Sequence, residues 1–270
     1  MNVIKKIFHI KEKKVKLGLA LGSGGAKGFA ELGALKAFNE HGIEFDYIAG
    51  TSIGSIIGAF YSAGYSLTDI MELMKKVDMG DVTNMFMIKM DTFGMFKVID
   101  DNLGNLEFSD LKKPFSAIAT EIETGNEKVF SSGSVAKALC ASSSYPPFFK
   151  AVEIDGEKYV DGAFSNSVPA DCVKRMGADY IVGIDLSNHT LKSKPSILSM
   201  FLPKFTNPVS EPWAKGYEYS NVMLKPDLSK YTPLSIKSGM EMFEIGYLEA
   251  LKHIPKIKSD IKNYKHKRKK

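Results

Sequence analysis

The sequence has few of the residues that staple small folds or hold metal ions. Among 270 residues there are only two cysteines, Cys140 and Cys172, and five scattered histidines. Two cysteines cannot build a disulfide framework, and the histidines do not cluster at the spacing of metal ligands. With 44% hydrophobic and 25% charged residues, the chain has the composition of a globular protein with its own core. Disulfide-scaffold and zinc-module classes are therefore excluded.

Arginine is also scarce, since 34 of the 36 basic residues are lysines. Sequence-specific base readout depends heavily on bidentate arginine, so we expect no specific nucleic-acid partner despite the net charge of +5. The charge is unevenly placed: residues 1–16 carry +5 and residues 252–270 carry +8, which leaves −8 for residues 17–251. The chain is thus an acidic body with two basic ends.

Long apolar runs are absent as well. No segment reaches the roughly 18 apolar residues that span a bilayer, and the run after Lys6 is too short for a secretory signal. We therefore expect a cytoplasmic protein, with a basic leader at 1–14, one domain at 15–252 and a basic tail at 253–270. The two ends are interpreted either as solvated tails or as segments that hold the protein at the surface of an anionic membrane.

Two strand–turn–helix units follow each other near the start of the chain. The apolar run Val15–Leu21 leads into a glycine-rich turn, and Phe29–Asn39 then has helical spacing. A second short strand at Phe45–Ala49 is followed by a small-residue helix that ends near Gly64. Because parallel strands need helical crossovers, this pattern predicts an α/β fold with a central, mostly parallel sheet covered on both faces.

Later segments extend the pattern. Strands are predicted at Phe115–Thr120 and Tyr180–Leu186, and helices at Val135–Ala141, Pro169–Met176 and 238–252. The proline-rich stretch 191–233 is predicted to be a long surface excursion.

The sequence Gly50-Thr51-Ser52-Ile53-Gly54 lies between a predicted strand and a predicted helix. In that setting G-x-S-x-G is typical of a nucleophile elbow, in which small neighbours let the strand and helix backbones approach closely. The N–H of Ile53, at the start of the helix, then faces a developing oxyanion. The alternative is an ordinary helix-capping serine.

The glycine-rich run Gly22–Gly28 does not match either nucleotide-binding fingerprint. Lys27 occupies the third glycine position of a dinucleotide motif, and Gly28 replaces the Ser or Thr of a Walker loop. What remains is a row of backbone donors at a helix N-terminus, which suits an oxyanion hole, or a tight turn without chemistry. Lys27 is left out of the catalytic pair.

The serine hydroxyl needs a base, and the sequence offers two candidates. His189 follows the strand Tyr180–Leu186, where a hydrolase histidine often lies, but it also suits a solvated loop. Asp161, in Val160-Asp161-Gly162-Ala163, is the better candidate, because a partly desolvated carboxylate that touches the hydroxyl has the proton affinity of a base.

These motifs together resemble those of patatin-like phospholipases, which are lipid acyl hydrolases with a Ser-Asp dyad. The resemblance spans about residues 15–186: Gly24–Gly28 resembles the oxyanion-hole motif, Gly50–Gly54 the elbow, and Asp161–Ala163 the D-G-[GA] motif of the base. Asn166 and Pro169 fit the continuation of that last motif, and the run Ala141–Ser144 before Pro146 is a weaker similarity.

The resemblance implies a three-layer α/β/α fold, a phospholipid or other acyl-ester substrate, no organic cofactor and no metal. It implies Ser52 as nucleophile and Asp161 as base, with an oxyanion hole formed around Gly24, Gly25, Ala26 and Ile53. The motif glycines are Gly22, Gly28, Gly50, Gly54 and Gly162. Two alternatives stay open, a soluble carboxylesterase for small esters and a noncatalytic adaptor that retains the fold; the oligomeric state is not predicted.

Methionine is concentrated in one stretch, since seven of the 13 methionines fall within residues 71–95. Methionine surfaces adapt to irregular apolar partners such as acyl chains. Residues 85–100, together with Ile197–Leu202, are therefore interpreted as a mobile flap at an acyl-binding mouth, and alternatively as a core helix with methionine as filler.

Overall fold

A computed structural model describes residues 14–76, 99–104, 106–146, 148–187 and 211–267. The strands are β1 (Leu17–Leu21), β2 (Tyr47–Thr51), β3 (Phe115–Glu121), β4 (Glu127–Phe130), β5 (Val152–Ile154), β6 (Glu157–Asp161), β7 (Tyr180–Ile184) and β8 (Val222–Leu224). The helices are α1 (Phe29–Glu40), α2 (Ile53–Ala63), α3 (Leu67–Lys76), α4 (Val135–Ser142), α5 (Ala170–Arg175), α6 (Ala214–Tyr219) and α7 (Gly239–Lys267). Most of the predicted flap, the stretch Ile197–Leu202, residues 1–13 of the leader and His189 lie outside these ranges.

All eight strands join one sheet, which is ordered β5-β6-β3-β2-β1-β7-β8, with β4 also paired to β3. The five strands from β3 to β8 along this path run parallel, whereas β4, β5 and β6 form an antiparallel limb. The prediction of a mostly parallel sheet is thus confirmed. The antiparallel limb matters for the site, because it places Asp161 on β3 next to the end of β2.

Two hydrophobic clusters cover the two faces of the sheet. Alternate residues of β1 divide between them: Leu17, Leu19 and Leu21 face one cluster, and Ala20 faces the other. Helices α1, α2, α4 and α7 belong to the first cluster, and α5 belongs to the second. Since residues alternate across a strand, this division creates helix, sheet and helix layers, as the three-layer prediction requires.

The last helix is longer than predicted and replaces most of the expected tail. It runs from Gly239 to Lys267, and Ile254 and Ile257 are buried in the core beyond the predicted end at residue 252. The lysine density after residue 252 concealed an apolar stripe that continues at helical spacing. The boundary predicted at 252/253 therefore falls inside this helix, and the division into a domain at 15–252 and a basic tail at 253–270 stays a prediction.

The excursion predicted at 191–233 also needs correction. Its described part, 211–233, contains α6 and the strand β8, which pairs in parallel with β7 at one edge of the sheet. Three residues are too few for a strand period to show in the sequence. Among the described helices, none is both long enough and apolar enough to cross a membrane.

Candidate active site

The turn after β2 has the strained geometry expected of a nucleophile elbow. Ser52 has φ 55° and ψ −125°, a region that non-glycine residues rarely adopt and that costs about 1–3 kcal/mol. A Cβ on Gly50 would lie 2.2 Å from the carbonyl oxygen of Gly54, and one on Gly54 would lie 2.6 Å from that of Gly22. Both glycines are therefore required because backbone segments pass within contact of them.

Strand pairing brings Asp161 next to this turn. On β3, Ala117 and Ile118 pair with both β2 and β4, and Ala119 pairs with both β4 and β6. Because a strand has only two sides, β2 and β6 must share the side of β3 opposite β4, and they meet end to end. Thr51 is opposite Ile118 and Asp161 is opposite the next residue, Ala119. The register thus places Ser52 and Asp161 together.

The Asp161 carboxylate is buried and hydrogen-bonded. Its exposed fraction is 1%. The backbone N–H of Ala163 donates to it at 2.8 Å, and hydrogen bonding by the nearby Ser52 side chain lowers its pKa. Burial raises the pKa of Asp161 to about 7, and the two hydrogen bonds hold it from rising further. A carboxylate with this proton affinity is able to accept a proton from a hydroxyl near neutral pH.

The glycine-rich run packs against the first residues of the helix that follows the elbow. A Cβ on Gly28 would lie 2.5 Å from the Ile53 side chain, so the run and helix α2 are in close contact. Gly25 has φ 58° and lies against Pro233, whose carbonyl accepts the N–H of Ala26 at 2.8 Å. Of the four predicted oxyanion donors, Ala26 is therefore already engaged. No hydrogen bond within the described ranges engages the N–H groups of Gly24, Gly25 or Ile53.

A buried glutamate, which was not among the candidates from the sequence, accepts a hydrogen bond from the start of this run. Glu31 has no exposed surface, and its Oε1 accepts the N–H of Gly22 at 2.7 Å. Burial raises the pKa of Glu31 well above its usual range, which favours the neutral form of the side chain. The available signal was a carboxylate among the otherwise apolar first seven residues of the helix, between Ala30 and Leu32.

Serine and asparagine side chains fix the strands that carry the pair. The N–H of Ser52 donates to Ser142 Oγ at 2.9 Å, and Thr51 Oγ1 donates to the carbonyl of Asn166 at 2.8 Å. Asn166 in turn donates from Nδ2 to the carboxylates of Glu127 and Asp171 at 2.8 and 2.7 Å. Ser142 belongs to a weaker similarity of the sequence and Asn166 to the continuation of the Asp161 motif, but the contacts of both follow from the tertiary fold alone.

The two histidine side chains that the structure describes are engaged elsewhere. His41 Nδ1 lies 2.8 Å from the carbonyl of Ala37 at the end of α1, and His253 Nε2 lies 3.2 Å from Glu249 on α7. Within the described residues, no cluster of His, Cys, Asp and Glu is arranged to hold a metal ion. The arrangement around Ser52 is thus a hydroxyl, a buried carboxylate and a set of backbone donors.

Comparisons with known proteins agree with this geometry. A family model described as patatin-like phospholipase matches residues 19–173. The chain is 28% identical to neuropathy target esterase sws of Drosophila melanogaster, over 86% of this chain and 19% of that protein. It is 27% identical to lysophospholipase nte1 of Aspergillus fumigatus, over 90% of this chain and 18% of that protein. The chain thus spans about a fifth of the length of these relatives.

A solved structure shares the fold. VipD from Legionella pneumophila superposes with a TM-score of 0.54 and 14% identity, over 89% of this chain and 66% of that chain. At this level of identity the likeness concerns the fold alone. Since the family model covers more than half of the sequence, the chain belongs to the patatin-like phospholipase family.

Proposed function

We propose that this chain is a serine hydrolase that cleaves acyl esters of lipids, of the phospholipase A or lysophospholipase type. Ser52 is the nucleophile and Asp161 is the base. The observation that carries the proposal is the strand register that places Ser52, at a strained turn, beside the buried Asp161 carboxylate. Nearby N–H groups of Gly24, Gly25 and Ile53 have no hydrogen-bond partner within the described ranges. The names of the relatives, an esterase and a lysophospholipase, support an ester of a lipid as the substrate.

The first half of the reaction forms an acyl-enzyme. The Ser52 proton moves to Asp161 while Oγ attacks the ester carbonyl carbon, and the carbonyl oxygen becomes an oxyanion. The N–H groups of Gly24, Gly25 and Ile53 stabilise that charge. When the tetrahedral intermediate collapses, the carbon–oxygen bond to the alcohol breaks, and Asp161 returns the proton to the leaving alkoxide.

The second half releases the acid. Asp161, again a carboxylate, accepts a proton from water as the oxygen of that water attacks the acyl carbon. The same donors hold the second oxyanion, and collapse breaks the bond to Ser52 Oγ, which regains the proton from Asp161. Because Asp161 must start each half ionised, and burial raises its pKa to about 7, we expect activity to fall as the pH drops below about 7.

Aromatic side chains beside the pair support an apolar substrate. Tyr145 is 39% exposed, and its ring centroid lies 4.8 Å from that of Phe164, three residues after Asp161. The charge of Asp161 contributes, after burial, to a raised pKa of Tyr145, so its phenol lies within electrostatic range of the carboxylate. Such a partly exposed aromatic surface suits the first carbons of an acyl chain.

The test is hydrolysis of a lipid panel by the wild-type protein and by Ser52→Ala. We expect Ser52→Ala to lower kcat at least about 10⁴-fold and to abolish fluorophosphonate labelling. Exposed Ser229 provides the matched control, since Ser229→Ala should leave both unchanged. Turnover that survives in Ser52→Ala would refute the assignment, and a wild-type protein without Ser52-dependent turnover would favour the noncatalytic adaptor.

The same panel separates the remaining alternatives. A preference for short soluble esters over long-chain lipids would favour the soluble carboxylesterase. His189→Ala should keep kcat within a few-fold of wild type, because the base is Asp161; a loss of several hundredfold would instead indicate a triad with His189.

We also propose a peripheral contact with anionic lipid, through a basic pole at the end of the sheet where β1 begins. A cleft of about 290 Å³ there is lined by Lys14, Lys16, Lys112 and Lys113, together with Glu44 and Asp46. A neighbouring cleft of about 260 Å³ joins Lys14 to Lys258 of α7. Both basic ends of the chain thus start from one pole, where each lysine near an anionic surface contributes about 1 kcal/mol.

This pole lies away from the catalytic residues. Lys16 precedes β1 and the glycine-rich run follows it, so one strand of five residues, about 17 Å, separates the two. A protein held by its basic pole would turn Ser52 away from the bilayer. This orientation favours substrates that leave the membrane as monomers, such as lysophospholipids, over phospholipids inside the bilayer.

A further inference from the structure

The run Ser142–Ser144, at the end of α4, contacts both members of the Ser52–Asp161 pair. Ser142 Oγ accepts the N–H of Ser52 at 2.9 Å, and the carbonyl of Ser144 accepts the N–H of Asp161 at 3.0 Å. Ser144 Oγ is used within the same turn, where it donates to the carbonyl of Cys140 at 2.7 Å. Three consecutive residues therefore link the turn after β2 to the end of β6.

Such a link is needed because the sheet does not itself join these two positions. Strands β2 and β6 meet end to end on one side of β3, and each pairs with β3 rather than with the other. Register fixes the relative position of the two strands along β3. A productive proton transfer needs more, because both side chains must be held within about 0.5 Å of their productive positions. The contacts of Ser142 and Ser144 supply this finer constraint from a third element.

The Ser52 N–H has a particular need for a partner. Ser52 follows the last ladder pair of β2, Thr51 with Ile118, and precedes helix α2, so its N–H has a partner neither in the strand ladder nor in the helix, although its carbonyl accepts the N–H of Ile56. Ser142 has no exposed surface, so water does not replace its hydroxyl there. Without the Ser142 hydroxyl, the turn would release its backbone strain by changing conformation, and Ser52 Oγ would move with the backbone.

We propose that Ser142 is a positioning residue for the reaction, whose hydroxyl holds the Ser52 turn so that Oγ points at Asp161. The inference rests on the proposed function, since it assigns Ser142 to the same chemistry. It does not make Ser142 a proton donor or a nucleophile, because its contact is with the backbone of Ser52.

The test compares Ser142→Ala with its neighbour Ser143→Ala. Ser143 is also buried, but its Oγ has no hydrogen-bond partner among the described residues, so its removal deletes a hydroxyl without touching the pair. We expect Ser142→Ala to lower kcat about tenfold to a hundredfold with KM within about twofold, and Ser143→Ala to stay near wild type. Ser142→Thr, which keeps the hydroxyl, should restore most of the lost kcat.

Two further measurements separate positioning from general destabilisation. The rate of fluorophosphonate labelling of Ser52 should fall in parallel with kcat. The pH at which kcat is half-maximal should also rise in Ser142→Ala, because the Ser52 hydrogen bond holds down the pKa of Asp161 and is weakened when the turn relaxes. A purely structural loss would lower the Tm and leave both the labelling rate of folded protein and the pH profile unchanged.

The outcomes are distinct. Wild-type kcat and pH profile in Ser142→Ala, or equal losses in Ser142→Ala and Ser143→Ala, would overturn the inference while leaving the proposed function intact. Absence of Ser52-dependent turnover in the wild type would overturn the proposed function, and the labelling rates would still test the inference. If Ser142→Ala does not fold, the near-isosteric Ser142→Cys carries the same comparison, with a weaker acceptor and an intermediate kcat expected.

Discussion

The two ends of the parallel strands hold their functional residues in opposite ways. At the ends where β1 and β2 stop, backbone segments approach each other so closely that Gly22, Gly50 and Gly54 admit no side chain. At the ends where these strands begin, long lysine side chains surround two open clefts. The end with the proposed catalytic residues is therefore specified by shape, and the basic pole is specified by charge.

This difference predicts different sensitivity to mutation. Close backbone contacts and buried carboxylates change abruptly when one atom is added or one charge is lost, because the interior cannot relax or recruit water. Exposed lysines contribute small, roughly additive and salt-dependent increments. Four sets of variants test the contrast, in decreasing order of the effect that we expect.

Asp161→Asn should have the largest effect, and in two directions. We expect kcat to fall about 10³-fold or more, because the amide cannot accept the Ser52 proton. Above pH 7 the variant should also be more stable than the wild type. The folded pKa of Asp161, about 7, exceeds the pKa of an unfolded aspartate, so the wild type loses stability as the pH rises from the unfolded value to the folded one. Kinetics and urea unfolding at pH 6 and 8.5 measure both. Asp155→Asn, at an exposed turn, is the control that should change neither; a destabilised Asp161→Asn at pH 8.5 would contradict the account.

Gly54→Ala should come next. The new Cβ would lie 2.6 Å from backbone atoms of Leu21 and Gly22, so we expect a loss of about 3 kcal/mol or more in the free energy of unfolding. Gly42→Ala is the matched control: Gly42 has φ 66° but nothing within 4 Å of the added atom, so only about 1 kcal/mol of backbone strain is expected. Equal losses in the two variants, measured by chemical denaturation, would remove close approach as the cause.

Glu31→Gln should have a smaller effect that depends on pH. Burial raises the pKa of Glu31, so the wild type should lose stability as the pH rises, whereas a glutamine accepts the N–H of Gly22 without ionising. We expect little difference in Tm near pH 4 and a variant Tm that exceeds the wild-type Tm as the pH rises, because the wild type begins to lose stability near the pKa of an unfolded glutamate, about 4.3. Exposed Glu40, on the same helix, serves as the control. Its glutamine variant should lose stability with rising pH as the wild type does. A parallel decline in Glu31→Gln and wild type would contradict the assignment.

Charge reversal at the basic pole should affect catalysis least. Lys112→Glu combined with Lys258→Glu should weaken sedimentation with anionic liposomes about tenfold or more, while hydrolysis of a soluble ester stays within twofold. Lys128→Glu with Lys137→Glu has the same net charge elsewhere on the surface and should bind nearly as well as wild type. Equal losses in the two double variants would mean that only total charge matters; a loss of soluble-ester turnover would break the separation of the two ends.

The parallel half of the fold was readable from the sequence because each strand is a continuous apolar run before a glycine turn. Helix α1 was expected at Phe29–Asn39 and runs Phe29–Glu40, and β3 was expected at Phe115–Thr120 and ends one residue later. The antiparallel limb was not readable, because β4, β5 and β6 have three to five residues with exposed, charged faces. Such short strands are defined by their partners rather than by their own pattern.

The site, too, has features that the sequence predicts and features that it does not. Ser52 and Asp161 each stand in a motif whose residues are adjacent in sequence, so both were candidates before the fold was known. The contacts of Ser142 with Ser52 and of Pro233 with Ala26 join positions 90 and about 200 residues apart, and no local spacing encodes them. Burial of Glu31 was equally hidden, since a helix pattern predicts one apolar face and α1 is enclosed over most of its circumference.

The contact between Pro233 and the glycine-rich run also has a consequence for biosynthesis. The carbonyl that takes up the Ala26 N–H belongs to a segment translated about 200 residues later, and the following helix packs backbone to backbone on α1 through Gly33 and Gly246. At about 5–20 residues per second, the ribosome needs at least about 10 seconds to deliver that partner. A nascent chain therefore carries Ser52 and Asp161 well before its glycine-rich run is held in place, so the proposed lipid hydrolysis would begin only late in synthesis.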